Sequence, residues 1–173
     1  AIVGMTAIAT AHIDDKEQVQ NCLRKIALSG KHLLGLINDV LDMSKIESGK
    51  MTLTAERISL REVVEGIVSI VQTQVKAKGQ NFNVHIDNIS AEDVYCDSVR
   101  LNQVLMNILS NAVKYTQDSG TIQLSLYQED SPADKGNAYV RTHIIVKDNG
   151  MGMEKDFLNH IYDSYTRADS KRV

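Results

Sequence analysis

Four polar residues recur at helical spacing near the middle of the chain. They are Gln103, Asn107, Asn111 and Lys114, within Arg100-Leu-Asn-Gln-Val-Leu-Met-Asn-Ile-Leu-Ser-Asn-Ala-Val-Lys-Tyr-Thr116. Steps of three and four residues place them along one side of a helix. Asn is a poor helix former because its amide competes for backbone hydrogen bonds. Two Asn one turn apart, in line with a Lys, are therefore an odd choice for a solvated face, where Glu, Lys and Arg are usual. Neutral amide oxygens can ligate Mg²⁺, and an ammonium can meet phosphate. The pattern points to an anionic ligand held with a hard cation, with a plain solvated face as the competing reading. A second constellation, Asp148-Asn-Gly-Met-Gly-Met153, follows an apolar alternating run. A carboxylate at a strand end can accept from an exocyclic amine. Gly150 and Gly152 let backbone come close to a flat ligand or bend away from it. Alone, Asp148-Asn-Gly also reads as an ordinary turn.

The elements that must position these residues follow from periodicity. Leu101, Val104, Leu105, Ile108, Leu109 and Ala112 form the apolar stripe of the Asn-bearing helix, which Asp97 caps. Ser59 with Glu62 is a capping box for a helix running to about Lys78 and closed by Gly79. Phe82, Val84 and Ile86 alternate as a half-buried strand; Ile122, Leu124 and Leu126 form another, and Val140, Thr142, Ile144 and Val146 its return. Pro132 and Gly136 mark the hairpin loop between those two. Met51-Thr-Leu-Thr54 alternates like a short strand. These elements predict an α+β sandwich. Upstream, an Ala-rich helix carries Ile2, Met5 and Ala9 at helical spacing. Asp14 with Glu17 resembles a capping box for a long helix that Gly49 stops. Val19, Cys22, Ile26, Leu33, Ile37 and Val40 make one seam of that helix, and Leu23, Leu34 and Leu41 a second. So broad a stripe suits a helical hairpin that pairs with another hairpin in a dimeric four-helix bundle.

Composition narrows the function classes. A length of 173 residues allows one domain or a small pair, and 43% hydrophobic with 24% charged residues is ordinary for a soluble globular protein. A net charge of −3 gives no support for nucleic-acid binding. No apolar stretch approaches the ~20 residues of a membrane span. Cys22 and Cys96 read as isolated, buried free thiols in a reducing compartment.

Taken together, Asn107-Ile-Leu-Ser-Asn-Ala-Val-Lys-Tyr-Thr116 and Asp148-Asn-Gly-Met-Gly-Met153 resemble the N box and first glycine box of the sensor histidine kinases. Those kinases belong to the wider ATPase superfamily that includes DNA gyrase and MutL. Ala1-Ile-Val-Gly-Met-Thr6 and Leu33-Leu-Gly-Leu-Ile-Asn-Asp-Val-Leu-Asp-Met-Ser-Lys-Ile-Glu-Ser-Gly49 resemble their dimerisation helices, so the resemblance covers essentially the whole chain. It implies a dimerisation hairpin over 1–50 and a catalytic ATP-binding domain over 51–173 that ends in the ATP lid. It implies ATP and Mg²⁺ as cofactors, bound by Asn107, Asn111, Lys114, Tyr115, Asp148, Gly150, Gly152 and Met153. By the resemblance Asp148 bonds the adenine amine and Asn111 holds Mg²⁺. Asn107 is then a supporting polar contact, Lys114 meets phosphate and Tyr115 sits beside the nucleotide. The implied partners are a second copy, through residues 1–50, and the receiver domain of a response regulator. No nucleic acid or membrane contact is implied for this stretch, and the implied location is cytoplasmic, in a parent that can be membrane-anchored.

The sequence departs from the family in three places. Ile161-Tyr-Asp-Ser-Tyr-Thr-Arg167 occupies the F box, with Tyr162 and Tyr165 where Phe is usual and Asp163-Ser164 where Glu-Pro is common. Arg167 reads either as a phosphate contact or as a solvated lid charge. The family's phosphoacceptor His lies in a His-acid-x-Arg-Thr-Pro type motif that would end just before Ala1. None of His12, His32, His85, His143 and His160 has that context. The family's second glycine box would come after Val173. The expectation is that this stretch alone neither phosphorylates itself nor holds nucleotide well, and that the kinase activity belongs to the intact protein. Two other functions compete: a non-catalytic dimerisation scaffold, and an ATP hydrolase of the same superfamily. Hydrolases of that kind use a Glu on the N-box helix to activate water, whereas Gln103 cannot act as a general base.

Overall fold

In the computed structural model, which describes residues 1–130 and 139–159, three helices begin at a side chain that accepts from the backbone three residues on. Asp15 accepts from the Gln18 N–H, Ser59 from Glu62 and Asp97 from Arg100. Each satisfies one of the donors that a first helical turn leaves unpaired. They open α2 (Lys16–Glu47), α3 (Leu60–Ala77) and α4 (Ser98–Tyr115), which follow a shorter α1 (Ile2–Ala11). The cap of α2 is Asp15, one residue later than the Asp14–Glu17 box expected from sequence. The shift puts Gln18, a residue suited to a capping box, at the third helical position.

The chain divides into two compact units, Ala1–Leu53 and Thr54 onward. In the first, α1 and α2 form a hairpin. Cys22 is buried and Val19, Ile26 and Ser29 are half-buried, facing an α1 side that carries Ile2, Met5 and Ala9. The further apolar residues of α2 stay in solvent: Leu23, Leu33, Leu34, Ile37, Val40 and Leu41 are all about half exposed or more. The seam read from the sequence is thus only partly covered within one hairpin.

In the second unit, β1 (Glu56–Ser59) pairs antiparallel with β3 (Asp93–Cys96), a strand the sequence did not announce. Residues 51–54 form no strand; their alternation finds no neighbouring ladder. A three-stranded sheet has the order β2 (Asn81–Asp87), β4 (Thr121–Asp130), β5 (Val140–Asp148). β2 runs parallel to β4, with Phe82, Val84 and Ile86 opposite Ile122, Leu124 and Leu126. β4 and β5 are antiparallel, with Leu124 opposite Val146 and Ile122 opposite Asp148. The loop joining them, with Pro132 and Gly136, lies outside the described residues. So do His160 and the lid positions Tyr162, Tyr165 and Arg167.

α3 and α4 cover one face of this sheet. Val64, Ile67, Val71 and Val75 of α3 meet Leu105, Leu109, Ala112 and Val113 of α4 over Ile122, Leu124 and Leu126. This is the α+β sandwich that the alternating and helical periods predict. The buried stripe of α4 is narrower than expected: Val104 and Ile108 are exposed, while Val113 is buried in their stead. On the opposite sheet face, His143 stacks on Tyr127 with ring centroids 4.5 Å apart. Both cysteines are free; Cys22 is buried, but Cys96 is only half so, and burial pushes its thiol pKa up.

Asp97 also ties the start of the second unit to α4, because its other carboxylate oxygen accepts from the Thr54 N–H at 3.1 Å. The Arg100 and Thr54 amides hold the Asp97 carboxyl below its ordinary pKa. A depressed folded-state pKa stabilises above the unfolded value and is lost as pH falls through the folded one. The variant Asp97→Ala should therefore have a lower urea midpoint than the parent chain at about pH 7, and the gap should narrow below about pH 4. A gap independent of pH would show that the carboxylate charge plays no part.

Candidate functional site

The last two turns of α4 bring the polar row to the edge of the sandwich. Asn107, Asn111, Lys114 and Tyr115 are all exposed, while Leu105, Leu109, Ala112 and Val113 anchor the opposite side in the core. Neither Asn107 nor Asn111 spends its amide on a side-chain hydrogen bond among the described residues, so both amides face solvent. Lys114 leans on its neighbour: its Nζ donates to the Tyr115 hydroxyl at 3.1 Å and lies 4.7 Å from the ring centroid. Tyr115 thus fixes the ammonium by a hydrogen bond and a cation–π contact. Gln103 is half-buried and accepts from the Arg100 guanidinium at 2.8 Å, so it is bound into the root of the helix.

Asp148 ends β5 on the helix-covered face, since it lies opposite Ile122 and in phase with Ile144 and Val146. One carboxylate oxygen accepts from the Gly150 N–H at 2.9 Å and folds the backbone into a tight turn. That turn brings the loop against the end of α4. The Met151 N–H donates to the Tyr115 carbonyl at 3.3 Å. A Cβ on Gly150 would stand 2.5 Å from that same oxygen, which requires glycine there. Gly152 serves differently: its φ is +67° and the space around it is open, so conformation and not crowding selects it. Met151 and Met153 are exposed beyond the turn.

The structure therefore joins the two sequence constellations through one backbone contact, Tyr115 to Met151. It also adds residues that the sequence reading passed over. The Asn149 side chain accepts from the Thr121 N–H at 2.8 Å and its backbone N–H donates to the Thr121 carbonyl, fastening the glycine loop to the start of β4. Gly120 lets Thr116 and Asn149 approach; a Cβ there would lie 2.3 Å from Thr116 Cγ2. The Asp-Asn-Gly order is the available signal for Asn149, because Asn favours side-chain-to-backbone bonds in turns. Chemically, the site offers neutral amide oxygens and an ammonium on one wall and a carboxylate on the other. That donor set suits a ligand with an anionic end and an amine-bearing end.

Two family models match the chain. The one described as histidine kinase-, DNA gyrase B- and HSP90-like ATPase covers residues 96–173, and the His Kinase A (phospho-acceptor) domain covers 1–49. The ATPase match implies ATP binding. Among relatives, the autoinducer 2 sensor kinase/phosphatase LuxQ of Vibrio vulnificus (strain YJ016) is 30% identical over 98% of this chain and 19% of that protein. The hybrid signal transduction histidine kinase B of Dictyostelium discoideum is 33% identical over 90% of this chain and 8% of that protein. The chain thus spans less than a fifth of the length of these two relatives. Among solved structures, full-length ShkA in complex with AMPPNP superposes with a TM-score of 0.62 at 26% identity, covering 81% of this chain and 28% of that one. The Acinetobacter baumannii histidine kinase AdeS has a TM-score of 0.62 at 20% identity, covering 90% and 73%. The latter likeness speaks to the fold alone.

The close approach at Gly150 makes a test. The variant Gly150→Ala should lose about 1–3 kcal/mol of stability from overpacking against backbone. Gly152→Ala should lose about 1–2 kcal/mol, from conformational strain only. In thermal unfolding followed by amide exchange, only Gly150→Ala should speed exchange at Met151. Unchanged protection there would mean that the loop tolerates the methyl group by moving away from Tyr115 without cost.

Proposed function

The chain belongs to the sensor histidine kinases, and from that premise we propose that it forms the dimerisation and ATP-binding core of one. In the intact protein it binds ATP with Mg²⁺ for transfer of the γ-phosphoryl group to a histidine, and onward to an aspartate of a response regulator. One observation carries this reading: the Asn107–Asn111–Lys114 row and the Asp148–Gly152 turn are drawn together at the end of α4. The donor set fits the nucleotide, and the room left by Gly150 lets the two walls meet. Bound ATP–Mg²⁺ supplies the phosphoryl group and the metal charge that neutralises the polyphosphate.

The chain's own residues do the positioning, which is most of what a protein contributes to phosphoryl transfer. Asp148 has one carboxylate oxygen engaged by Gly150, leaving the other to accept from the adenine amine. Asn111 offers a neutral oxygen to the metal, with Asn107 one turn earlier as a supporting polar contact. Lys114 supplies positive charge toward phosphate, and Tyr115 holds that ammonium while flanking the nucleotide. Gly150, Gly152 and Met153 shape the loop beneath it. A hydrolase would need a carboxylate base on this helix, and α4 (Ser98–Tyr115) carries no Asp or Glu. Gln103 has no carboxylate and is bonded to Arg100, which favours transfer over hydrolysis.

The helical hairpin of residues 1–50 is the dimerisation segment in this reading. Its support is the exposed run of Leu33, Leu34, Ile37, Val40 and Leu41. The neighbouring domain, 51–173, is the catalytic one. The response regulator is the second partner; one neighbouring structure in the same fold is of the histidine kinase ThkA in complex with the response regulator protein TrrA. Among the described residues no helix is long and apolar enough to cross a membrane. A cytoplasmic location for this core follows from its use of ATP.

Two experiments test the reading. The variant Asp148→Asn should weaken ATP binding by about 1.5–3 kcal/mol, the worth of a charged hydrogen bond, in calorimetry on folded protein. Guanine presents a carbonyl where adenine has its amine, so equal affinities for ATP and GTP in the intact domain would remove Asp148 from that role. Replacing Leu34 and Leu41 together by Glu should convert dimer to monomer in sedimentation, by burying like charges across an apolar seam. A parent chain that is already monomeric at high concentration would count against dimerisation through 1–50.

A further inference from the structure

The end of α4 is closed from a third direction, by the turn between α3 and β2. An α-helix leaves its last carbonyls without intrahelical partners. Here the Lys78 Nζ donates to the carbonyls of Val113 (2.8 Å), Lys114 (3.2 Å) and Thr116 (3.3 Å). The Gln80 Nε2 donates to those of Val113 (3.1 Å) and Thr116 (2.7 Å). With Met151 on the Tyr115 carbonyl, all four carbonyls from Val113 to Thr116 have a donor, and each donor comes from outside α4. Lys78 is half-buried and uses its three protons on three acceptors; Gln80 is buried. The amide of Gln80 has one possible orientation, because carbonyls only accept. Gly79, at φ +61°, makes the turn that lets both flanking side chains reach the same helix end.

We propose that Lys78 and Gln80 are positioning residues of the nucleotide site, holding the last turn of α4 so that Lys114, Tyr115 and the glycine loop keep their mutual placement. The proposal rests on the ATP-binding reading above for what the site holds, but not for the placement itself. Neither residue faces the polar row of α4: they bond backbone oxygens on the side from which β2 departs, so Lys78 acts through Lys114 and Tyr115 and not on phosphate.

The test uses the whole chain with Lys78→Met, Lys78→Arg, Gln80→Leu, Gln80→Glu and, as control, the exposed Lys76→Met. Affinity for Mg²⁺–AMPPNP is measured by calorimetry, and amide exchange at Met151 by NMR, at a temperature where circular dichroism shows each variant folded. Lys78→Met and Gln80→Leu should bind about five- to tenfold more weakly, as expected for loss of about one net hydrogen bond. Their Met151 amide should exchange faster while that of Leu124 does not. Lys78→Arg should retain most of the affinity, and Lys76→Met all of it. Gln80→Glu sets a carboxylate against two carbonyls at neutral pH. Its excess Met151 exchange over the parent should fall as the side chain protonates and can donate again, a pH profile that lost packing alone would not give. If Gln80→Leu does not fold, this variant decides. Parent-like affinity and Met151 exchange in Lys78→Met and Gln80→Leu would overturn the proposal. Equal acceleration at Met151 and Leu124 would overturn it too, by making the pair general stabilisers. Absence of probe binding even in the intact kinase would sink the ATP reading alone, and the exchange measurements on the chain would still decide the positioning.

Discussion

The second unit depends on how α4 ends. A buried or half-buried carbonyl without a donor costs about 1–3 kcal/mol, so leaving those of Val113 and Thr116 unpaired would consume a sizeable part of the ~5–15 kcal/mol that holds a domain together. The chain meets this demand with donors from two distant segments: Lys78 and Gln80 before β2, and Met151 after β5. Each reaches α4 only if the sheet has its observed order, because β2 and β5 flank β4 on opposite sides. The helix end therefore reports on the fold. A register slip in either strand pair would strand one of these donors, along with the carbonyl it serves. The same interaction that completes the helix fixes the residues that would meet a ligand.

Close backbone approach is the second half of that constraint. Gly150 lies against the Tyr115 carbonyl and Gly120 against Thr116 and Asn149, so the loops before β4 and after β5 converge on the same few residues. Asn149 ties those loops together through both its side chain and its backbone. This permits a polar, solvent-facing site to be rigid without being deep. The supporting bonds are mostly backbone-directed and leave the amides of Asn107 and Asn111 uncommitted. Pre-organised groups of this kind lose less entropy on binding than groups that must first be ordered.

Periodicity made the scaffold legible wherever one side of an element is buried and the other wet. Phe82 and Val84, then Ile122, Leu124 and Leu126, alternate in sequence because β2 and β4 have one covered face, whereas Ile86 keeps the alternation but lies half exposed beyond it. The capping residues Ser59 and Asp97 were legible because a cap bonds its own first turn. The failures have a common physical origin in long-range contacts. Residues 51–54 alternate but have no ladder to join, whereas Asp93–Cys96 acquire one from β1, 34 or more residues earlier. Val104 and Ile108 fit the apolar period of α4, yet the width of the covered stripe is set by where α3 lies. In the site, Asn107, Asn111 and Lys114 stood out because unusual residue types sat at regular spacing, and Asp148 because it ends an alternating run just before Gly150 and Gly152. Lys78, Gln80 and Gly120 did not, since a Lys or Gln whose acceptors are carbonyls more than 30 residues away leaves no local pattern.

The polarity of α4 accounts for the residue types in its last turns. The C-terminal end of a helix carries partial negative charge, which disfavours phosphate and favours hydrogen-bond donors and cations. A polyphosphate placed near that end must therefore be offset. In the proposed site Lys114 on the outer face would do so, while Lys78 neutralises the carbonyls directly. Asn at 107 and 111 fits the same logic. A carboxylate in either place would bind a divalent cation more strongly but would add charge of the wrong sign beside the phosphates, whereas an amide oxygen ligates the metal without it. The donor-seeking character of the helix end is no obstacle at the other wall of the proposed site, where Asp148 would face the amine-bearing end of the nucleotide. A nucleotide, anionic at one end and amine-bearing at the other, would thus meet a cationic wall and an anionic wall, provided the two lysines remain where the turn after α3 and the ring of Tyr115 hold them.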